Sequence, residues 1–148
     1  MKSMTVKDLM VKDLVFAEPD DTLEDAAVDM KDANCGILPV GDTQNVKGMI
    51  TDRDIIIRAI AKGKDPAKEK VRDYMTAKSY FCNETDTIKE AADVMKKNRI
   101  SRLIVKNDDD KISGILSFGC ILRENANADE IADVVACAAD RYNKKKVA

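Results

Sequence analysis

The chain has 148 residues, of which 45% are hydrophobic and 35% charged, and its 25 basic and 27 acidic side chains give a net charge of −2. This composition is typical of a globular protein rather than a disordered one, and the interspersed charges offer no basic patch for nucleic acid or for an anionic membrane. The chain contains no His and no Cys-x-x-Cys pair, which argues against zinc fingers and against a nucleophile activated by imidazole.

The N-terminal sequence MKSMTVKDLM lacks the apolar core of a signal peptide, and no apolar run reaches the roughly eighteen residues that span a bilayer. We therefore expect a cytoplasmic protein with neither a membrane nor a nucleic acid as a partner. The four cysteines are expected to be reduced thiols that mostly fill the core; they are Cys35, Cys82, Cys120 and Cys137.

Residues 5–54 recur about 65 positions later, so the chain holds two copies of one unit. The matched pairs are Val6 and Val71, Asp8 and Asp73, Met10 and Met75, Thr22 and Thr87, Ala26 and Ala91, Ala27 and Ala92, Met30 and Met95, and Val40 and Val105. A duplicated unit of this size is marginal alone, so we expect the copies to fold together. The predicted division is 1–66 for the first unit with its linker, 67–125 for the second, and 126–148 for a C-terminal helix with a basic tail.

Each copy is predicted to open with a strand, at Leu14–Ala17 in the first, followed by a helix. Thr22 and Asp25 have the spacing of a capping box, as do Thr87 and Glu90 in the second copy. The apolar residues that follow lie on one helical face; they are Leu23, Ala26, Ala27 and Met30, and their twins Ile88, Ala91, Ala92 and Met95.

Two short strands and a second helix are predicted to complete each copy. The strands are Cys35–Val40 and Val46–Thr51 in the first copy, and Arg102–Val105 and Ile112–Ser117 in the second. The second helices are Asp52–Lys62, stopped by Gly63 to Pro66, and roughly Phe118–Asn125. A last helix at Ala128–Tyr142 has an apolar stripe and is expected to pack on the module or on a partner subunit.

This twofold order of elements resembles the cystathionine-β-synthase (CBS) domain pair, or Bateman module, over about residues 4–125. The specific similarities are VKDLM and VRDYM, the runs CGILPV and SRLIV, the stretch TDRDIIIRAIAKGKDP, and GILSFGC. The resemblance implies an α+β fold of two pseudo-symmetric β-α-β-β-α units packed through their sheets. It also implies a cleft that holds up to two adenosine-type ligands, and no catalysis.

In this family a Thr or Ser followed three residues later by Asp contacts the ribose, and here these residues are Thr51 and Asp54. The chemistry is reasonable, because a carboxylate can accept hydrogen bonds from both hydroxyls of a ribose diol. The same pair also fits a capping box for the helix that starts at Asp52. Both interpretations stay open on the sequence alone.

The resemblance assigns further contacts to both copies. Ser79 and Tyr80 would flank the base, Ser101 and Arg102 would face the phosphate, and Ile37 and Leu38 would wall the base unless they belong purely to the core. In the second copy Ser117 keeps the hydroxyl, but Cys120 stands where the ribose Asp belongs. Because a thiol is a weak acceptor, the second site is expected to be weaker or lost.

We therefore predict a non-enzymatic energy or metabolite sensor that binds AMP, ADP or ATP and acts through conformational change or an effector protein. S-adenosylmethionine and NAD are alternative ligands, a homodimer is expected, and no metal or required cofactor is implied. The alternative function is a structural homodimerisation module with no physiological nucleotide. Cys120 favours this alternative, whereas Thr51 and Asp54 oppose it.

Overall fold

The computed structural model describes residues 4–123 and four isolated helical positions, 129, 132, 135 and 136. The helices are α1 (Val6–Leu9), α2 (Leu23–Ala33), α3 (Ile88–Asn98) and α4 (Phe118–Arg123); the strands are β1 (Ile37–Gly41), β2 (Val46–Thr51), β3 (Phe81–Asn83), β4 (Arg102–Lys106) and β5 (Ile112–Ser117). The predicted mixed α+β fold is confirmed. The helix predicted at 128–142 lies outside the described residues except at those four positions.

The described residues form two compact units, one of residues 14–79 and one of residues 4–13 with 80–123. The first contains an antiparallel pair, β1 and β2; the second contains a three-stranded sheet in the order β3-β4-β5, parallel and then antiparallel. Each unit has its own buried core. Val6, Leu103 and Leu116 belong to one core, and Leu23, Leu38 and Ile50 belong to the other.

Each unit contains the opening segment of the other sequence repeat. The Val71 N–H donates to the Asp21 carbonyl at 2.8 Å, and its twin, the Val6 N–H, donates to the Asp86 carbonyl at 2.9 Å. The two sequence repeats follow one another along the chain. The opening helical turn of each repeat, however, packs in the compact unit that consists mainly of the other repeat.

The predicted capping box at the start of α2 is confirmed, and its counterpart at the start of α3 shows one of the two bonds. The Thr22 N–H donates to Asp25 Oδ2 at 3.1 Å, and the Asp25 N–H donates to Thr22 Oγ1 at 3.0 Å. In the twin helix the Glu90 N–H donates to Thr87 Oγ1 at 3.1 Å. The predicted apolar faces are also buried, except at Ala27, which is exposed although its twin Ala92 is buried.

The strand expected at Leu14–Ala17 is reduced to a single parallel bridge from Ala17 to Val40. Its counterpart in the second repeat is the three-residue strand β3. Directly after β3, the Glu84 N–H donates to the Lys106 carbonyl at 2.9 Å and so continues the pairing with β4. Pro19 occupies the position of Glu84 in the first repeat. Because proline has no N–H, that ladder bond cannot form and the strand does not extend.

The helix predicted at Asp52–Lys62 is present but irregular. Its centre, Asp54–Ala59, is π-helical, and Ile60–Lys62 continues as a 3-10 turn that ends at Gly63 with φ 74°. A left-handed φ of this kind favours glycine, which confirms the predicted stop. Ile55 and Ala59 point into the core, whereas the remaining isoleucines of this helix are exposed.

Candidate functional site

The corner between β2 and the following helix places Thr51 and Asp54 against each other. The Thr51 N–H donates to Asp54 Oδ2 at 3.0 Å, and the Asp54 N–H donates to Thr51 Oγ1 at 3.1 Å. This reciprocal pair is a capping box, the same geometry that Thr22 and Asp25 form at the start of α2. The capping interpretation of the sequence is thus observed directly.

The cap leaves hydrogen-bonding groups of both side chains for a ligand. Within residues 4–123, the Asp54 carboxylate uses only Oδ2 in hydrogen bonds, and the Thr51 hydroxyl acts only as an acceptor. Both residues are half-buried. Asp54 Oδ1 can therefore accept a hydrogen bond and the Thr51 hydroxyl can donate one, so the corner can cap its helix and bind a diol at once.

Of the two residues expected to wall the base in this unit, the structure brings one to the corner. Ile37 on β1 is the register partner of Thr51, and Leu38 pairs with Ile50. Residues directly opposite in an antiparallel pair have Cβ atoms about 4.5–5.5 Å apart, so Ile37 lies beside Thr51. Leu38 is fully buried in the core of residues 14–79, so its role is packing.

Ser79 has a buried hydroxyl with no hydrogen-bond partner among the described residues. An unsatisfied buried polar group costs about 1–3 kcal/mol, so it calls for an explanation. A bound polar molecule that donates to or accepts from this hydroxyl would remove the cost.

The remaining predicted residues belong to the other unit, where two of them meet. Arg102 at the start of β4 is the register partner of Ser117 at the end of β5, as Ile37 is of Thr51. The Ser101 carbonyl accepts from the Phe118 N–H at 3.1 Å. Tyr80 directly precedes β3, near the start of β4: its carbonyl accepts from the Ile104 N–H at 3.0 Å, and its side chain packs on the core.

The second corner differs from the first in its charge. The Ser117 hydroxyl donates to Cys120 Sγ at 3.3 Å, and the Cys120 N–H donates to Ser117 Oγ at the same distance. Arg123 Nη2 also donates to Cys120 Sγ, at 3.8 Å. A thiol therefore replaces the carboxylate, and Arg102 and Arg123 make this corner basic. Arg123 was not predicted, although its i, i+3 spacing from Cys120 was a usable signal.

The cysteines of the described residues, Cys35, Cys82 and Cys120, are free thiols. Burial, with a smaller contribution from the Asp86 carboxylate, raises the pKa of the Cys82 thiol to about 12. Such a thiol stays protonated at neutral pH and is a poor nucleophile. The role predicted for Cys82, filling the core, agrees with its place in the core cluster.

A shallow depression of about 390 Å³ lies at the C-terminal end of α2, beside the corner residue Asp52. Its lining is Met30, Lys31, Asn34, Cys35, Gly36 and Asp52. A Cβ at position 36 would lie 2.6 Å from Asp52 Oδ2, so a larger residue there would displace the exposed Asp52 side chain. No sequence pattern pointed to this depression.

Across the part of the chain that the structure describes, no group of three or more His, Cys, Asp or Glu side chains could hold a metal ion. In the same residues, no helix is both long enough and apolar enough to cross a bilayer.

Comparison with known proteins gives consistent matches. A family model for the CBS domain matches this chain twice, at residues 6–60 and 71–127. The uncharacterized protein YlbB of Bacillus subtilis is 37% identical over 126 residues, which cover 82% of this chain and 83% of YlbB.

Solved structures show the same fold. The CBS domain protein TA0289 of Thermoplasma acidophilum, whose function is unknown, superposes with a TM-score of 0.77 at 23% identity, covering 93% of this chain and 78% of that one. The CBS domain pair of protein MJ0100, solved in complex with 5′-methylthioadenosine and S-adenosyl-L-methionine, has a TM-score of 0.72 at 27% identity and covers 83% of this chain and 96% of that one.

Proposed function

Since this chain belongs to the CBS-domain family and contains two CBS repeats, we propose that it is a regulatory module that binds an adenosine-type ligand at the Thr51–Asp54 corner. CBS pairs are regulatory ligand-binding domains, and the pair of MJ0100 was solved with two adenosine compounds. The observation that supports the assignment most strongly is the corner itself, where a capped helix start leaves one carboxylate oxygen and one hydroxyl proton for a ligand.

The ribose diol is the part of the ligand that this corner fits. One ribose hydroxyl donates to Asp54 Oδ1, and the other accepts from the Thr51 hydroxyl. A hydrogen bond to an ionised group contributes about 1.5–3 kcal/mol, because the charged acceptor strengthens it. Ile37, opposite Thr51, supplies an apolar surface next to the sugar.

Ser79 supports the presence of a polar ligand independently of the corner. Its buried hydroxyl has no partner in the described residues, and a ligand heteroatom would satisfy it. The resemblance assigns Ser79 to the base, whose ring nitrogens and amino group offer both acceptors and a donor. Packing alone does not explain a serine at this position, whereas a hydrogen bond to the base would.

The resemblance assigns Ser101 and Arg102 to the phosphate, and we retain that assignment as a proposal. A guanidinium presents a fork of donors that matches two oxygens of a phosphate. Arg102 would then distinguish nucleotides from nucleosides, while Asp54 would recognise the ribose that all of them share. AMP, ADP and ATP are the proposed ligands, and S-adenosylmethionine and NAD share the ribose.

Regulation requires that the ligand bind two conformations or assemblies of the module with different affinity. We propose that this difference is transmitted through a homodimer or through an effector protein, and that the module catalyses no reaction itself.

A thermal-shift screen tests the proposed function, with AMP, ADP, ATP, S-adenosylmethionine and NAD as ligands and UTP as a ribose-containing control. A ligand at 100 times its Kd adds about 2.7 kcal/mol to the stability of the folded state, or roughly 5–10 °C in Tm for a chain of this size. We expect at least one adenosine ligand to give such a shift. The proposal is wrong if none does, or if UTP shifts Tm equally at the same concentration.

A second candidate is a structural homodimerisation module, favoured by one specific observation. The helix after β2 exposes three isoleucines to solvent, and a surface of this kind is typical of association sites. This candidate predicts a dimer in sedimentation experiments with no response to any ligand of the screen.

A further inference from the structure

The second corner, residues 117–123, differs from the first corner in charge at three matched positions of the two repeats. The matched pairs are Ile37 and Arg102, Asp54 and Cys120, and Ile57 and Arg123. One carboxylate is lost and two guanidinium groups are gained at these positions. A corner with this change no longer offers an ionised acceptor to the hydroxyls of a diol, but it offers charged donors to an anion.

Both guanidinium groups are available to a ligand. Among the described residues, the Arg102 guanidinium forms no ion pair, and that of Arg123 donates only to Cys120 Sγ, at 3.8 Å. A thiol is a weak acceptor and a guanidinium carries five N–H donors, so most of these donors are not used. Arg102 is the register partner of Ser117, which places both side chains on one face of the sheet. The acidic residue that follows the corner, Glu124, lies outside the described residues.

Gly119 leaves space between Arg123 and Ser117. A Cβ at position 119 would lie 3.1 Å from Arg123 Nη1 and 3.6 Å from Ser117 Oγ. An oxygen atom in the same place would be at hydrogen-bonding distance from the guanidinium and within a small side-chain rotation of the hydroxyl. Gly119 does not have a positive φ, and glycine is less favourable than alanine inside a helix. Helix formation therefore does not explain this glycine, whereas room for a ligand oxygen does.

We propose that the second corner binds a phosphate group, held by the Arg123 and Arg102 guanidinium groups and the Ser117 hydroxyl. A guanidinium fork matches two oxygens of a phosphate, and the hydroxyl, which now donates to a thiol, can donate to a third. Cys120 permits this because it is neutral, whereas a carboxylate in its place would repel the phosphate and pair with Arg123. The inference goes beyond the ribose site and requires no ligand at the first corner.

Nuclear magnetic resonance of the full ¹⁵N-labelled chain tests the site with inorganic phosphate as the probe. Sodium phosphate is titrated at constant pH and ionic strength, with sodium chloride making up the difference. We expect the amide signals of Gly119 and Cys120 to shift and to saturate in the low millimolar range, while those of Thr51 and Asp54 stay in place. Shifts that do not saturate, or that affect both corners equally, would overturn the proposal.

Two substitutions test the residues that hold the phosphate. Arg123→Gln should weaken phosphate binding about tenfold, because a charge-assisted contact is lost. Its matched control is Arg53→Gln, which removes the same charge from an exposed position of the first corner and should leave the affinity unchanged. Gly119→Ala should weaken binding without lowering the melting temperature, because alanine favours a helix more than glycine does. Wild-type affinity in Arg123→Gln or in Gly119→Ala would contradict the proposed site.

The charge at position 120 provides a sharper test. Cys120→Ser keeps the position neutral and should retain phosphate binding, whereas Cys120→Asp should abolish it. Melting curves of both variants verify that they fold. If the two variants bind phosphate equally, the charge of the corner does not select its ligand and the proposal is wrong.

AMP and adenosine identify the source of the phosphate group. AMP should shift the Gly119 and Cys120 amides and displace inorganic phosphate, and adenosine should do neither. Tighter binding of AMP than of inorganic phosphate assigns the corner to a nucleotide, and equal binding assigns it to free phosphate. A displacement of phosphate by adenosine would overturn the proposal. With saturating inorganic phosphate in every sample of the thermal-shift screen, that screen tests the first corner separately, so the two proposals can fail independently.

Discussion

Replacing Asp54 by Asn separates the two roles that the structure gives to this side chain. The Asn side-chain oxygen can still accept from the Thr51 N–H, as Asp54 Oδ2 does at 3.0 Å. The other position, now an NH₂ group, donates hydrogen bonds and cannot accept one from a ribose hydroxyl. Asp54→Asn should therefore retain most of the cap and lose the charge-assisted ribose contact, since its NH₂ group can at most donate a weaker, neutral hydrogen bond to a hydroxyl.

The magnitudes of these two effects differ enough to be measured separately. Loss of one charge-assisted hydrogen bond costs about 1.5–3 kcal/mol, which weakens adenosine-ligand binding about ten- to 150-fold. Loss of the hydrogen bond from the Thr51 N–H costs about 1 kcal/mol of stability, so Asp54→Ala should lower the melting temperature as well as the affinity, whereas Asp54→Asn keeps an acceptor there and should change stability less.

The capping box of α2 provides a matched control. Asp25 accepts from the Thr22 N–H at 3.1 Å in the same geometry and has no proposed contact with ligand. Asp25→Ala removes the hydrogen bond to the Thr22 N–H and should therefore destabilise the protein by about 1 kcal/mol and leave affinity unchanged. Isothermal titration and thermal melting of Asp25→Ala, Asp54→Ala and Asp54→Asn give both quantities. If Asp54→Asn binds as wild type does, Asp54 is only a cap and the ribose assignment is refuted.

Three further substitutions test the remaining assignments. Cys120→Asp restores the missing carboxylate in the second corner beside Arg123. It should create a second site or strengthen its affinity by up to about ten- to 150-fold, less the cost of burying the charge. The stoichiometry measured by calorimetry should then rise from about one ligand to two per chain. Unchanged stoichiometry would contradict this assignment. Arg102→Met should weaken nucleotide binding more than adenosine binding, and equal losses in parallel titrations would remove Arg102 from the phosphate site. Cys82→Ala tests a pH dependence: the folded thiol has a pKa of about 12, whereas an unfolded thiol ionises near ~8.5, so between these values the unfolded chain releases a proton that the folded chain keeps. As the pH rises, the unfolding free energy of wild type should therefore fall more steeply than that of Cys82→Ala, by up to about 1.4 kcal/mol for each pH unit. Denaturant titrations from pH 8 to 11 measure both free energies, and equal slopes for the two proteins would contradict the prediction.

The features predicted well from the sequence are those fixed by neighbouring residues. The capping box of Thr22 and Asp25 and the stop at Gly63 depend on one turn of backbone, so their residue types are sufficient signals. The capping box of Thr51 and Asp54 was also visible, but the sequence could not show that one carboxylate oxygen would remain for a ligand.

Features that depend on distant residues were not predicted. The exchange of opening segments joins Val6 to Asp86 and Val71 to Asp21 across long stretches of chain, and no local pattern encodes it. The shortened strand at Ala17 could have been anticipated from Pro19, but only by comparing it with Glu84 in the other repeat. Ligand contacts stay proposals, because a capping box and a ribose site require the same residue types.

The most direct test of ribose recognition at this corner is a double-mutant cycle that pairs Asp54→Asn with removal of the ribose diol. Isothermal titration would compare the best ligand of the thermal-shift screen with its 2′,3′-dideoxy analogue, on wild type and on Asp54→Asn. If the two groups contact each other, the analogue loses about ten- to 150-fold more affinity on wild type than on Asp54→Asn, where only the contact of the other hydroxyl with Thr51 is left to lose. An equal loss on both proteins would show that Asp54 does not contact the ribose, and would contradict the proposed site.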